Sequence, residues 1–277
     1  MKNFNIKKMN LYKSTNRFII EYNNLEKNLN RQATIDELSV FDHMHYNGKH
    51  AVNDAINQLN INNFSKVLDI GSGIGGPARY IAKKTNAEVF AIEIQKDLND
   101  IAVHITNNYE VRKNITHTQA DFLKYDFKNI KFDKVVSWLA LYHMSQRNNL
   151  LNKINNLLMP NGYFYAEDFF LIKSIGNDKM NNIAELFHAN HLVEYEKYIS
   201  ELESNNFKVI NIEIMTENWT TYTHNRLMLF KKNIKNNLKI HSQDTVDNVL
   251  KFYSLAHELL STNILGGLKY IVKKSKR

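Results

Sequence analysis

Residues 66–80 read Lys-Val-Leu-Asp-Ile-Gly-Ser-Gly-Ile-Gly-Gly-Pro-Ala-Arg-Tyr, and they constrain the fold more than any other stretch of the chain. Residues 67–70 have the length and apolar content of a short buried strand. The strand breaks into a glycine turn. Of the nine glycines in the chain, Gly71, Gly73, Gly75 and Gly76 fall within six residues. That concentration marks a place where the backbone bends sharply or lies against a ligand. Pro77 suits the first turn of a following helix, where its missing N–H costs nothing. A strand, a glycine loop and a helix N-terminus in this order form a site for a nucleotide-type cofactor.

From residue 66 onward, strand and helix patterns alternate, which predicts a parallel sheet with helices on its faces. Strands are predicted at 66–70, 88–92, 115–119, 134–138 and 163–168, with helices at 77–85, 97–111 and 147–158 between them. Asp97 is the expected N-cap of the second of these helices. Residues 159–162, Met-Pro-Asn-Gly, read as a tight turn into the fifth strand. Helical stretches at 183–186 and 193–205 lead to a sixth strand at 208–215. Two long helices, 223–237 and 244–262, precede a closing strand at 266–272. Upstream, 16–28, 35–42 and 51–59 read as helices, with Thr34 and Glu37 as a capping box. The organisation is a helical cap or lid over residues 1–62, then an α/β domain over 63–277 with a helical insertion at about 223–262.

The chain has 277 residues, room for one large α/β domain. It has no cysteine, which excludes disulfides, cysteine-ligated zinc, iron–sulfur clusters and a cysteine nucleophile. The net charge of +8 raises nucleic acid or an acidic membrane as partners. The lysines are scattered, however, with small clusters only at 231–232 and 273–277, the pattern of a solvated surface. The N-terminal residues lack the continuous apolar core of a secretory signal, and no apolar run is long enough to span a bilayer. A cytoplasmic protein with no nucleic-acid or membrane partner is expected.

The loop also fits G-x-G-x-x-G through Gly71, Gly73 and Gly76, so nicotinamide and S-adenosylmethionine are both candidate cofactors. Three features bear on the choice. Asp69, just before the glycines, can reach a cofactor ammonium or order the loop. Glu93, which with Ile94 ends the second strand, can accept both ribose hydroxyls, a feature that either cofactor would use. Asp121 and Phe122 follow the third strand, where a carboxylate can accept from an adenine amino group and a ring can pack on the base. Dehydrogenases have no matching requirement.

These residues together resemble the class I S-adenosylmethionine-dependent methyltransferases. The resemblance spans about residues 66–168 and includes the stretches at 132–138, Phe-Asp-Lys-Val-Val-Ser-Trp, and 158–162, Leu-Met-Pro-Asn-Gly. It implies a Rossmann-like seven-stranded sheet whose last strand, at 266–272, is antiparallel. It also implies S-adenosylmethionine as cofactor, held by Asp69, Gly71, Gly73, Gly75, Glu93, Ile94, Asp121, Phe122 and Ser137. A closer likeness runs through residues 69–82, 137–143, 166–168 and 265–270. There the chain is similar to sarcosine/dimethylglycine and phosphoethanolamine methyltransferases, which implies methyl transfer to a small amine. In the phosphobase enzymes a cap tyrosine works with the histidine after the fourth strand. Here that position aligns with His43, and Tyr46 lies three residues on. Residues 185–198 have no arginine of the kind that holds the phosphate in those enzymes.

Methyl transfer needs alignment and a deprotonated nucleophile. His143, at the mouth of the sheet after the fourth strand, is the candidate general base, because imidazole titrates in the useful range. His43 and Tyr46 are further catalytic candidates if the N-terminal segment closes as a lid. Trp138, Tyr142 and His45 are placed to face the acceptor, since aromatic rings attract ammonium groups. Arg226, on the late helical insertion, is a candidate partner for a substrate carboxylate. No carboxylate pattern accompanies the histidines, so no metal is expected. The reading is a small-molecule methyltransferase acting on an amine nitrogen, with an oxygen or carbon acceptor as the alternative. Three rivals are weaker. A nucleic-acid methyltransferase lacks support because residues 137–140, Ser-Trp-Leu-Ala, carry no Asn/Asp-Pro-Pro-aromatic motif. The other two are a non-catalytic binding module and a dehydrogenase.

Overall fold

The computed structural model describes residues 4–275; residues 1–3 and 276–277, the ends of the two sequence ranges above, lie outside the described residues. In chain order the helices are α1 (Arg17–Leu29), α2 (Ile35–Leu38), α3 (Lys49–Leu59), α4 (Gly76–Thr85), α5 (Lys96–Thr106), α6 (Arg147–Leu157), α7 (Asn177–Phe187), α8 (Tyr195–Ser204), α9 (Thr216–Lys232), α10 (Ile234–Asn237) and α11 (Gln243–Ser261). The strands are β1 (Lys66–Ile70), β2 (Glu88–Glu93), β3 (Ile115–Gln119), β4 (Phe132–Trp138), β5 (Leu158–Leu171), β6 (Phe207–Ile214) and β7 (Leu265–Lys274).

The strands form one seven-stranded sheet in the order β3-β2-β1-β4-β5-β7-β6. Strands β1 to β5 pair in parallel, and β7 runs antiparallel to both β5 and β6. This is the expected Rossmann-like sheet with an antiparallel last strand. Alternate residues along each strand feed opposite faces, as the two-residue period requires. Leu68, Phe90, Val135 and Phe164 pack into one apolar layer. Their neighbours Val67, Val89, Val136 and Tyr165 pack into the other. Strand order reverses between β1 and β4, so a crevice opens at their carboxyl ends, the place where open α/β sheets hold ligands.

Four local expectations are corrected. The 159–162 turn stays within β5 as an irregularity, with Asn161 left-handed at φ 66°, so β5 starts at Leu158. The N-cap of α5 is Gln95, not Asp97; Asp97 sits in the first turn, where its Oδ2 accepts the Thr15 hydroxyl at 2.9 Å and ties the cap to the sheet domain. The helix predicted at 35–42 ends at Leu38, although the Thr34–Glu37 capping box forms as expected. Helix α9 starts at Thr216, seven residues before the predicted start. The cause is tertiary: the Met215 amide donates to the Gly267 carbonyl at 2.7 Å, and Trp219, fully buried, packs where a side chain on Gly267 would stand.

Candidate functional site

The crevice at β1 and β4 is a cavity of about 350 Å³. Its floor is the glycine loop. Gly71 and Gly73 hold left-handed backbone at φ 75° and 54°, which side chains disfavour. A Cβ on Gly71 would collide with the Cβ of Ala140. The Gly73 amide donates to Glu93 Oε2 at 2.9 Å, and the Gln95 amide donates to Glu93 Oε1 at 2.8 Å, so the β2 carboxylate fastens the loop to the next strand. Burial raises the Glu93 pKa, and the backbone donors work against that shift.

Asp69 is buried at the base of the loop, and its Oδ2 has no protein partner. Burial, then the charge of Glu93, pushes its pKa up to about 8. A buried carboxyl without a donor is costly unless a ligand supplies one. Ser72 Oγ and both amide atoms of Gln95 are likewise buried and unpartnered beside the same cavity. These orphaned groups fit a ligand rich in ammonium, hydroxyl and ring-nitrogen groups, which is the chemistry of S-adenosylmethionine. Asp121 also lines the cavity; its Oδ1 accepts the Leu123 amide at 2.9 Å, so it shapes its own turn. Phe122 beside it packs on Phe127, and Ile94, half exposed, completes this wall.

Gly75 and Ser137 lie outside the cavity lining, contrary to the sequence expectation. A Cβ on Gly75 would meet His117 and Arg79, so this glycine serves helix packing. The Ser137 hydroxyl donates to the Ile70 carbonyl at 2.8 Å, which holds β4 to the end of β1 behind the cavity.

The opposite wall follows β4. Leu139 adopts left-handed backbone at φ 51°, uncommon for a residue other than glycine, and a single turn at Leu141–His143 comes next. His143 lines the cavity. Its Nδ1 lies 2.9 Å from the His188 carbonyl, so Nδ1 carries the proton and Nε2 keeps its lone pair. Nε2 is buried without a partner. Burial lowers the His143 pKa to about 4, below the useful range expected of its imidazole from the sequence, so the ring is neutral near pH 7. The loop is held from behind: the Tyr142 amide donates to Asp168 at 3.2 Å, and the Asn190 side chain donates to the His143 carbonyl at 2.7 Å.

The same Asn190 amide accepts from the Phe4 amide at 2.8 Å and donates to the Phe4 carbonyl at 3.3 Å. The N-terminal segment is thereby clasped over the cofactor cavity, where Phe4–Ile6, Tyr12, Met44 and His45 form its roof. His45 stacks on Trp138 at 5.4 Å and bonds the Gly48 carbonyl through Nε2 at 3.1 Å. His43 does not reach the cavity lining. It is sandwiched between His45 and Tyr80, beside the buried Asp42–Arg79 ion pair, and burial lowers its pKa to about 4.

Tyr46, Tyr142 and Arg226 also miss this cavity, but the structure gathers them in a second one of about 280 Å³. The two cavities share Tyr12, Met44 and Leu139 as walls. Tyr142 stands beside His143, with ring centroids 3.9 Å apart. The sequence reading missed Tyr12, Leu139, Gln95 and Asn190. Tyr12 had only a weak signal, since Phe4 is a second aromatic in the same Lys/Asn-rich stretch; the others show only in three dimensions.

Comparison with known proteins agrees with this geometry. The methyltransferase-domain family model matches residues 67–162. Sterol 24-C-methyltransferase of Candida albicans is 30% identical over 107 residues, 39% of this chain and 28% of that enzyme. Phosphoethanolamine N-methyltransferase of Plasmodium falciparum is 26% identical over 238 residues, 81% of this chain and 87% of that one. Among solved structures, Haemonchus contortus phosphoethanolamine N-methyltransferase 2, in complex with phosphomonomethylethanolamine and S-adenosylhomocysteine, superposes with a TM-score of 0.81 at 15% identity, covering 100% of this chain and 61% of that chain. The chain thus spans little more than a quarter of the sterol enzyme it matches and less than two thirds of the Haemonchus protein. The fold, the orphaned cofactor-cavity groups and the family match agree: residues 67–162 carry a methyltransferase domain, and the chain is similar to the class I S-adenosylmethionine-dependent methyltransferases.

Proposed function

We propose that this protein transfers a methyl group from S-adenosylmethionine to a small-molecule acceptor, at an amine nitrogen. The observation that carries the amine reading is His143 Nε2: a buried, unpartnered lone pair in the wall of the cofactor cavity, with its tautomer set by the His188 carbonyl. The likeness to a phosphoethanolamine N-methyltransferase over most of the chain supports it.

The cofactor supplies an electrophilic methyl group on a sulfonium. Asp69, Gly71, Gly73, Glu93 and Ile94 would hold it from the loop and β2, and Asp121 and Phe122 from beyond β3. His143 Nε2 accepts the N–H of the acceptor and orients the nitrogen lone pair. It takes that proton as the new bond places positive charge on nitrogen. Positioning of this kind is worth roughly 7–11 kcal/mol in favourable systems, and the base adds about 10²–10⁴-fold. The second cavity receives the rest of the acceptor, with Tyr46 and Tyr142 as aromatic walls and Arg226 as the counter-charge to an acidic group. Trp138 and His45 close the boundary between cofactor and acceptor.

The test is a panel of amines, phenols and carbon acids incubated with methyl-labelled S-adenosylmethionine. Label on amine nitrogen alone is expected. Label on oxygen or carbon, with amines inert, overturns the nitrogen assignment.

A further inference from the structure

The second cavity carries more information than the amine assignment uses. Its walls are rich in aromatic rings: Tyr46, Tyr142, Phe169, Phe252 and Tyr253 all line it. At about 280 Å³ it nearly matches the small end of pockets that enclose whole small-molecule ligands, about 300–1,000 Å³. Two exposed aliphatic residues, Val40 and Leu229, belong to its lining.

Arg226 is set into these walls. Its guanidinium lies 4.8 Å from the Tyr253 ring centroid and 3.4 Å from the Tyr222 hydroxyl. Among the described residues no carboxylate pairs with it. The other charges lining the cavity offset each other: Glu21 lies 4.0 Å from Arg17 and 3.4 Å from His241. Arg226 is therefore a permanent cation held among aromatic rings and short of one negative charge.

We propose that the second cavity selects an acceptor built from a bulky apolar or aromatic body joined to one carboxylate, the carboxylate seated on Arg226. The proposal rests on the methyl-transfer reading for the word acceptor, but its binding chemistry stands apart. The acceptor nitrogen lies at the shared wall of Tyr12 and Leu139, within reach of the cofactor cavity. The body displaces water from the faces of Phe169 and Phe252. A planar carboxylate matches the guanidinium fork and supplies the single missing charge. A two-carbon amino acid would satisfy Arg226 and leave the aromatic walls wet, and a phosphate dianion would bring one charge too many.

The experiment is equilibrium binding to the full chain saturated with S-adenosylhomocysteine, which has no methyl group to transfer, so that every probe is read by binding alone. 3-Phenylpropionate is expected to bind about 10–100-fold tighter than 3-phenylpropanol, the range of a charge-assisted hydrogen bond, and at least tenfold tighter than dimethylglycine. Arg226→Gln removes the preference for the acid over the alcohol and leaves alcohol and S-adenosylhomocysteine binding in place. Tighter binding of dimethylglycine, or of 2-phenylethyl phosphate, overturns the proposal, as does an acid preference that survives in Arg226→Gln. The probe series in the unaltered protein decides the matter even if the variant fails to fold. No turnover is measured, so failure of the amine reading shows in the labelled-methyl panel instead.

Discussion

The two cavities differ in where their walls come from. The cofactor cavity is built mainly from consecutive strand ends: the loop after β1, Glu93 to Gln95 after β2, Asp121 and Phe122 after β3, and Leu139, Ala140 and His143 to Gln146 after β4. The second cavity draws Tyr12, Tyr46, Tyr142, Arg226 and Tyr253 from five distant parts of the chain. The first depends on backbone geometry that short motifs encode. The second depends on how the N-terminal segment, α9 and α11 pack. One fold can thus keep a cofactor site while its acceptor site is set by packing elsewhere.

The largest expected effect separates the two halves outright. Gly71→Val forces a branched side chain into left-handed backbone and against Ala140. S-adenosylmethionine binding should be abolished in calorimetry while thermal unfolding stays cooperative. Normal affinity in this variant would break the assignment of the loop. His143→Ala keeps the loop and removes the proposed base from the opposite wall of the same cavity: kcat should fall about 10²–10⁴-fold, with the loop still binding S-adenosylmethionine. Because burial lowers the His143 pKa to about 4, its Nε2 lone pair is available at all higher pH. Its contribution to kcat should persist down to about pH 5 and be lost as pH falls through 4. A break near 6.5 would mean that a different histidine acts.

The comparison also shows what could be read from the amino acids alone. The order of strands, the loop and Glu93 were legible because each depends on near neighbours: strand period, glycine spacing and a carboxylate at a strand end. Ser137 and Gly75 were misplaced because motif position does not reveal which way a side chain or turn faces; one bonds Ile70 and the other makes room for Arg79 and His117. His43 sat in the expected turn, but the Asp42–Arg79 pair and the ring of Tyr80 hold it away from the cavity. Arg226 was singled out by charge type, yet its aromatic surroundings come from Tyr222 on its own helix and Tyr253 on α11, a packing no local pattern encodes. The left-handed Leu139 and the Asn190 clasp have no sequence signature.

A smaller effect sharpens the cofactor half. Asp69 has a pKa raised to about 8, so it is mostly protonated at pH 7, and a cationic ligand favours its carboxylate. Cofactor affinity should therefore rise as pH climbs towards 8 and level off above it. Asp69→Asn should weaken binding about 10–100-fold and flatten that dependence in calorimetry at several pH values. A slope that survives in the variant would point to another group. Smallest of all, Ser137→Ala removes one buried hydrogen bond and should cost about 1 kcal/mol in chemical denaturation, with kcat unchanged. A large loss of turnover would return Ser137 to the site.

Equilibrium titration of the full chain with S-adenosylmethionine, with NADH as the competing ligand, tests the central claim most directly. One S-adenosylmethionine per chain, undisturbed by excess NADH and retained in His143→Ala, is the result expected. NADH binding with no uptake of S-adenosylmethionine would contradict it.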